Sequence, residues 1–122
     1  MSYTIKHRQE PNYFRITLFG RTDEQALLNL TSDVILLLTM EKPNKVLIDR
    51  SRLEGNLSLF GALDSVKAFP EGLKNIKAAV LDKPENAEPD RDYEMFATNH
   101  GFRLKFFTRK SDAELWLHAP DN

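Results

Sequence analysis

Residues 45–63 read KVLIDRSRLEGNLSLFGAL, and this stretch decides the fold prediction because a strand pattern gives way to a helix pattern. The segment VLID, residues 46–49, is apolar on both faces, which is typical of a strand in the middle of a sheet. A polar turn is expected after Asp49. The segment from Asn56 to Leu63 predicts the start of a helix, with Ser58 as its N-cap. A strand followed by a helix in this way favours an α/β fold.

The chain before this stretch predicts a hairpin and a long helix. Tyr3 to Arg8 and Tyr13 to Phe19 alternate in polarity around a Pro-Asn turn, which indicates two antiparallel strands. Thr22 and Gln25 have the spacing of a capping box, so the Thr22 hydroxyl is expected to bond the Gln25 amide and open the first helix. Pro43 ends that helix.

The chain after this stretch continues to alternate between helices and strands. The predicted elements are a helix over 58–69, a strand over 76–81, a helix opening at Asp90 or Asp92, an edge strand over 102–106 and a helix opening at a second capping box, Ser111 to Glu114. Parallel strands need crossovers such as these helices, so only the opening hairpin is expected to be antiparallel. We therefore predict one α/β domain over residues 1–122, with a mixed sheet of about five strands and four helices.

The composition is that of a globular domain and excludes several classes of protein. Hydrophobic residues make up 41% of the chain and charged residues 29%, which are ordinary values for a folded domain. The 17 basic and 18 acidic residues nearly balance, so binding of nucleic acid through its phosphates is not expected. There is no cysteine, which excludes disulfides and thiolate chemistry.

The sequence predicts a cytoplasmic protein without a transmembrane segment. Residues 1–6 lack the succession of basic, apolar and small residues that marks a secretory signal. The longest apolar run covers residues 34–38, whereas a helix that crosses a bilayer needs about 20 residues.

The candidate catalytic and metal-binding residues do not form a recognisable set. The three histidines, His7, His100 and His118, lie in different predicted elements without a second ligand at metal spacing. Asp49 ends a strand, where ligands collect in α/β sheets, but an acid there is more often a loop anchor that bonds backbone amides. The sequence contains no glycine-rich phosphate-binding loop. We therefore expect no enzyme activity, no cofactor and no metal.

The segment from Asp82 to Glu94 is strongly acidic. It contains six acidic residues against Lys83 and Arg91, which gives a local charge of −4. Acidic residues favour the amino-terminal ends of helices, so a solvated face is the expected interpretation. Orientation of a charged partner is the alternative.

The first helix carries more apolar surface than contact with one sheet needs. Leucines at helical spacing give it an inner face, and Leu28, Ile35 and Leu36 widen that face. Additional core is the favoured interpretation. The alternatives are a homodimer face and the wall of a pocket for an apolar small ligand.

Three segments together resemble the STAS domains of anti-sigma-factor antagonists: residues 16–21 (ITLFGR), 46–49 (VLID) and 56–63 (NLSLFGAL). The closing segment 102–117, a predicted strand followed by SDAELWL, is similar to the SpoIIAA-like branch, which is related to the lipid-binding CRAL-TRIO domains. The resemblance covers nearly the whole chain. It implies a regulatory module that binds a protein partner. The relationship to CRAL-TRIO domains implies the alternative of a carrier or sensor of an apolar small molecule or lipid, held between the first helix and the sheet.

The resemblance also assigns a site. In phospho-regulated STAS domains a segment of the type Asp-Ser-Ser-Gly-Leu-Gly opens the helix after the central strand, and its second serine receives phosphate from a partner kinase. Alignment on the following Gly-Ala-Leu places Ser58 at that serine, with Asn56, Leu57 and Leu59 at the aspartate, first serine and glycine. Ser58 is thus the implied phospho-acceptor or contact residue, together with Asn56 and Asp49. Plain capping by Ser58 is the alternative that we favour, and its loss would cost about 1 kcal/mol.

Overall fold

A five-stranded sheet with the spatial order β1-β2-β3-β4-β5 organises the computed structural model, which describes residues 2–120. The strands are β1 (Tyr3–Gln9), β2 (Phe14–Arg21), β3 (Lys45–Glu54), β4 (Lys77–Leu81) and β5 (Arg103–Phe107). The helices are α1 (Glu24–Glu41), α2 (Leu59–Lys67), α3 (Ala87–Asn99) and α4 (Lys110–His118), with short 3-10 turns at Glu71–Asn75 and Pro84–Asn86. Only β1 and β2 pair antiparallel, and the later pairs are parallel. The predicted mixed sheet with its opening hairpin is confirmed.

The two faces of the sheet bury separate groups of apolar residues. On one face, α1 packs against β2, β3 and β4. The fully buried Ile16 and Val46 belong to the apolar cluster on this face. On the other face, α4 places Leu117 against Leu47 and Ala79. Each fully buried aliphatic side chain of this size contributes about 1.5–3 kcal/mol. Because β3 lies between two helical layers, its side chains are apolar on both faces of the sheet.

A bulge in β3 decides which side chains of this central strand face α1. Thr17 pairs with Asp49, but Phe19 pairs with Arg52, so β3 contains one more residue than β2 over this interval. The predicted polar turn after Asp49 is wrong, because the strand runs on to Glu54. Since the bulge changes the alternation of side chains, Arg50 and Leu53 both face the α1 side of the sheet.

The predicted cap of the first helix is wrong. Asp23 caps α1 by accepting a hydrogen bond from the Ala26 amide at 2.8 Å. The Thr22 hydroxyl does not bond Gln25 and instead donates to the Glu54 carbonyl at 2.7 Å. The Thr22 amide donates to the same carbonyl, so this residue extends the pairing of β2 with β3.

Two further helix starts differ from the prediction. The helix α4 begins at Lys110 without a side-chain cap, and the carboxylate of Glu114 accepts a hydrogen bond from the Tyr13 hydroxyl at 3.0 Å. The predicted capping box at Ser111 is therefore absent. The helix α3 begins at Ala87 directly after a 3-10 turn, three residues before Asp90.

Candidate functional site

Ser58 caps α2, as the sequence predicted, and it also joins α2 to α1. Its side-chain oxygen accepts a hydrogen bond from the Gly61 amide at 3.1 Å. The same hydroxyl donates to Oε1 of Glu24 at 2.8 Å. The Ser58 side chain is exposed, and its hydroxyl both donates and accepts a hydrogen bond.

Gly61 leaves room for the Glu24 carboxylate at the start of α2. A Cβ atom added at Gly61 would collide with Oε1 of Glu24 and lie 3.1 Å from the Ser58 oxygen. The first turn of α1 thus delivers a carboxylate to the amino terminus of α2. A negative charge is favoured at that end of a helix because unpaired amides and the helix dipole stabilise it.

Two large apolar side chains stand exposed beside this contact. Leu59 is 56% exposed and Phe60 is 78% exposed, both in the first turn of α2. We call Glu24, Ser58, Leu59 and Phe60 the α2 surface. It combines an exposed aromatic ring, a second apolar side chain and a carboxylate fixed by a hydrogen bond.

The structure does not bring the other predicted contact residues to this surface. The buried Asp49 accepts hydrogen bonds from the Ser51 amide at 2.9 Å and the Ser51 hydroxyl at 2.6 Å, and Nη2 of Arg15 lies 4.0 Å away. It anchors the local backbone on the face of the sheet that carries α4, because its position alternates with that of Ile48. The amide of Asn56 donates to the Asn86 side chain at 3.0 Å and so points towards α3.

The three residues that widen the apolar face of α1 have separate environments. Leu36 is 59% exposed and Leu28 is half-buried. Ile35 lines a cavity between α1, α2, α3 and the sheet. Leu28 and Ile35, two helical turns apart, lie on the same side of α1, whereas Leu36 is turned about 100° away from Ile35. A ligand or dimer face formed by the three residues stays a prediction.

The cavity has a volume of about 150 Å³. Its walls are mainly apolar, with Leu30 and Val34 from α1 and Ile48 and Ala78 from the sheet. The lining residues with polar side chains are Thr31, Arg50, Asn56, Asp90, Tyr93 and Arg103. Burial raises the pKa of the Tyr93 hydroxyl to about 12, and this hydroxyl lies 3.1 Å from that of Ser65.

A buried charged cluster adjoins the cavity. Asp82 follows β4 directly and is 2% exposed, and Asp90 on α3 is 6% exposed. Nε of Arg50 lies 3.4 Å from Oδ2 of Asp82, while Nη2 of Arg50 donates to the Gly55 carbonyl at 2.6 Å. The Asn86 amide donates to both Asp82 oxygens at 3.0 and 3.1 Å. The cluster ties the ends of β3 and β4 to the start of α3.

One of the two carboxyl groups in this cluster has a raised pKa. Burial, together with the hydrogen bond and negative charge of Asp82, raises the pKa of Asp90 to about 8, and the charge of Arg50 opposes the shift. Burial beside a second carboxyl group therefore favours the protonated form of Asp90. The prediction of a solvated acidic face is wrong for these two residues. The signal that could have located them is the position of Asp82 at the carboxyl end of a buried parallel strand.

Residues 2–120 contain neither a candidate metal cluster nor a helix suited to span a membrane. Within residues 2–120, no three side chains of the His, Asp or Glu type are grouped so as to hold a metal ion. None of the helices in this range has the length and hydropathy that a bilayer crossing needs.

Two solved structures are similar to this chain over nearly its whole length. The first is an uncharacterised protein of the DUF3478 family with a SpoIIAA-like fold from Shewanella loihica PV-4. It is 25% identical, with a TM-score of 0.58, and the match covers 94% of this chain and 93% of that one. The second is an anti-sigma factor antagonist from Mycobacterium paratuberculosis, 16% identical, with a TM-score of 0.62 and coverage of 97% and 96%. No family model matches the chain, and no curated protein matches it.

Proposed function

Because the chain has the SpoIIAA-like fold of STAS domains, we propose that it is a regulatory, non-enzymatic module that binds a protein partner through the α2 surface. The exposure of Phe60, beside the fixed Glu24 carboxylate, is the observation that carries this proposal. A cytoplasmic location stays a prediction from the sequence.

Exposed aromatic rings are frequent anchors of protein interfaces because they bury a large area with few rotatable bonds. Phe60 and Leu59 together offer such an anchor, whereas most neighbouring positions on α2 are polar or buried. The carboxylate of Glu24 adds a negative charge at the edge of the apolar pair. The complementary partner therefore presents an apolar pocket with a basic residue at its rim.

A phosphate on Ser58 would change this surface through Glu24. It would add a charge of about −1.5 to −2 next to a carboxylate, and like charges at hydrogen-bonding distance repel each other. The Ser58–Glu24 contact would break, although the amides of α2 would still favour the phosphate. We propose that Ser58 is a contact and capping residue, and that any phosphorylation would act by separating α1 from α2.

Differential capture from native lysate tests the interaction. Tagged wild type and Phe60→Ala are compared by quantitative mass spectrometry, with Leu115→Ala as the matched control because Leu115 is 70% exposed on the distant α4. We expect one set of partners to be lost with Phe60→Ala and kept with Leu115→Ala. Equal partner sets for all three proteins would contradict the proposal.

The cavity favours a second function, that of a carrier or sensor of an apolar small molecule. Its walls are mainly apolar, and residues of three helices line it together with the sheet. Native mass spectrometry of freshly purified protein tests this function, since a reproducible mass above that of the chain would show a retained ligand. A homodimer through the exposed side of α1 stays a prediction.

A further inference from the structure

The cavity has the size of one six-membered ring. Engineered apolar cavities of about 150 Å³ stay dry and bind benzene. The cavity here has a volume of about 150 Å³, and most of its walls are of the same kind, formed by leucine, isoleucine, valine and phenylalanine side chains. A long acyl chain is larger than this volume, so the cavity would enclose only part of it.

One part of the wall has unused hydrogen-bonding capacity. Arg50 lines the cavity, and its buried Nε has no hydrogen-bond partner among the described residues, although Asp82 lies 3.4 Å away. A guanidinium group has five N–H donors, and one of those of Arg50 is accounted for by the Gly55 carbonyl. Nε faces Asp82, and Arg50 has further N–H groups, so as a lining residue it can donate to an oxygen atom that enters the cavity.

The charges around Arg50 favour a neutral ligand group over an anion. Asp82 faces Arg50 from the end of β4, and Asp90 faces it from α3. The positive charge of Arg50 is already balanced by Asp82, so a second anion would be repelled in a site of low dielectric. A hydroxyl or carbonyl oxygen accepts a hydrogen bond without this cost.

We infer that the cavity binds a compact, neutral, ring-shaped molecule with one hydroxyl or carbonyl oxygen, whose ring lies between α1 and the sheet and whose oxygen accepts a hydrogen bond from Arg50. This inference rests on the second of the two functions proposed above and names its ligand class. It differs from a lipid carrier because the volume selects one ring rather than an acyl chain.

The probes that test the inference are phenol, toluene and tetradecanoate. Each is titrated into ¹⁵N-labelled full-length protein, and the amide chemical shifts of Ile48 and Ala78 report on the cavity. We expect saturable shifts with phenol and weaker binding of toluene by about threefold to tenfold, because toluene has the ring but no hydrogen-bonding group. Tetradecanoate is expected to give no saturable shift at these positions.

Ala78→Leu fills the cavity from its floor and is expected to weaken phenol binding by about tenfold or more. Leu36→Ala is the matched control, since it removes apolar area from the exposed side of α1 and leaves the cavity intact. Where Ala78→Leu does not fold, Val34→Phe fills the same space from α1 and carries the test.

Three outcomes of the titrations with wild type would overturn the inference. They are the absence of saturable shifts with phenol, equal affinity for phenol and toluene, and binding of tetradecanoate alone. Unchanged phenol binding after the cavity is filled would also overturn it. None of these results bears on the capture experiment with Phe60→Ala. Binding of tetradecanoate alone would refute the ligand class and keep the carrier function, so the two failures are distinguishable.

Discussion

The Ser58 hydroxyl donates a hydrogen bond of 2.8 Å to the Glu24 carboxylate, and this contact joins the first turns of α1 and α2. The two residues are 34 positions apart in the chain, on either side of β3. The amino terminus of α2 therefore carries a negative charge that a different helix supplies. This arrangement shapes the surface on which we place partner binding.

Ser58→Ala is expected to lower the free energy of unfolding by about 1 kcal/mol, because it removes both the cap of α2 and the partner of Glu24. Urea unfolding followed by circular dichroism measures the change. Ser111→Ala is the control, because α4 begins without a side-chain cap and this variant is expected to stay within about 0.5 kcal/mol of wild type. A larger loss for Ser111→Ala than for Ser58→Ala would contradict the assigned caps.

Gly61→Ala is expected to act through Glu24. Alanine favours a helix over glycine by about 1 kcal/mol, but its Cβ would displace the Glu24 carboxylate. The substitution should therefore stabilise the Glu24→Ala background more than it stabilises wild type, by about 0.5 kcal/mol or more. A double-mutant cycle with urea unfolding measures this coupling, and additive effects would show that the two residues do not interact.

Asp90→Asn is expected to change how stability depends on pH. The folded protein holds the Asp90 proton up to about pH 8, whereas an unfolded aspartate loses its proton near its ordinary pKa of 3.8. The contribution of Asp90 to the free energy of unfolding is therefore fully present below the unfolded pKa of 3.8, and it is lost as the pH rises to about 8.

The asparagine side chain of this variant cannot ionise and still has N–H groups to donate to Asp82. The stability of wild type relative to Asp90→Asn should therefore fall between about pH 4 and about pH 8. Urea unfolding of both proteins across this range measures the difference. A difference that is constant with pH would contradict the protonated state of Asp90.

Ala78→Leu and Ala79→Leu test the cavity through stability alone. Ala78 faces the cavity, so leucine should fill free space and leave the free energy of unfolding unchanged or raised by up to about 1 kcal/mol. Ala79 faces α4 in a fully packed layer, and leucine there should cost about 1–3 kcal/mol. Equal losses for these adjacent residues would contradict the assigned cavity.

The sequence predicts the order and direction of the elements because hydrophobic periodicity reports the buried faces directly. The strand over 46–49 and the cap at Ser58 are examples in which the local pattern and the tertiary structure agree. The bulge in β3 is not predictable in this way, since Arg50 and Arg52 show no apolar pattern and the extra residue is defined only against β2. The predicted cap at Thr22 is wrong for the same reason, because its competing acceptor is the Glu54 carbonyl across the sheet.

The candidate site was predictable in part. Ser58 follows from capping chemistry, and the adjacent Leu59 and Phe60 are visible in the sequence. The sequence could not place Glu24 at the α2 surface, since its contact with Ser58 joins two helices that β3 separates in the chain. Asp82 and Asp90 look like solvated acids in the sequence, and only the structure shows that both are buried beside Arg50.

The most direct test of the account is the affinity of a captured partner, purified and titrated by calorimetry against wild type, Phe60→Ala and Leu115→Ala. Anchor residues of interfaces contribute about 2 kcal/mol or more, so Phe60→Ala should weaken binding by about thirtyfold while Leu115→Ala leaves it unchanged. Equal affinities of wild type and Phe60→Ala would show that the partner does not bind at the α2 surface.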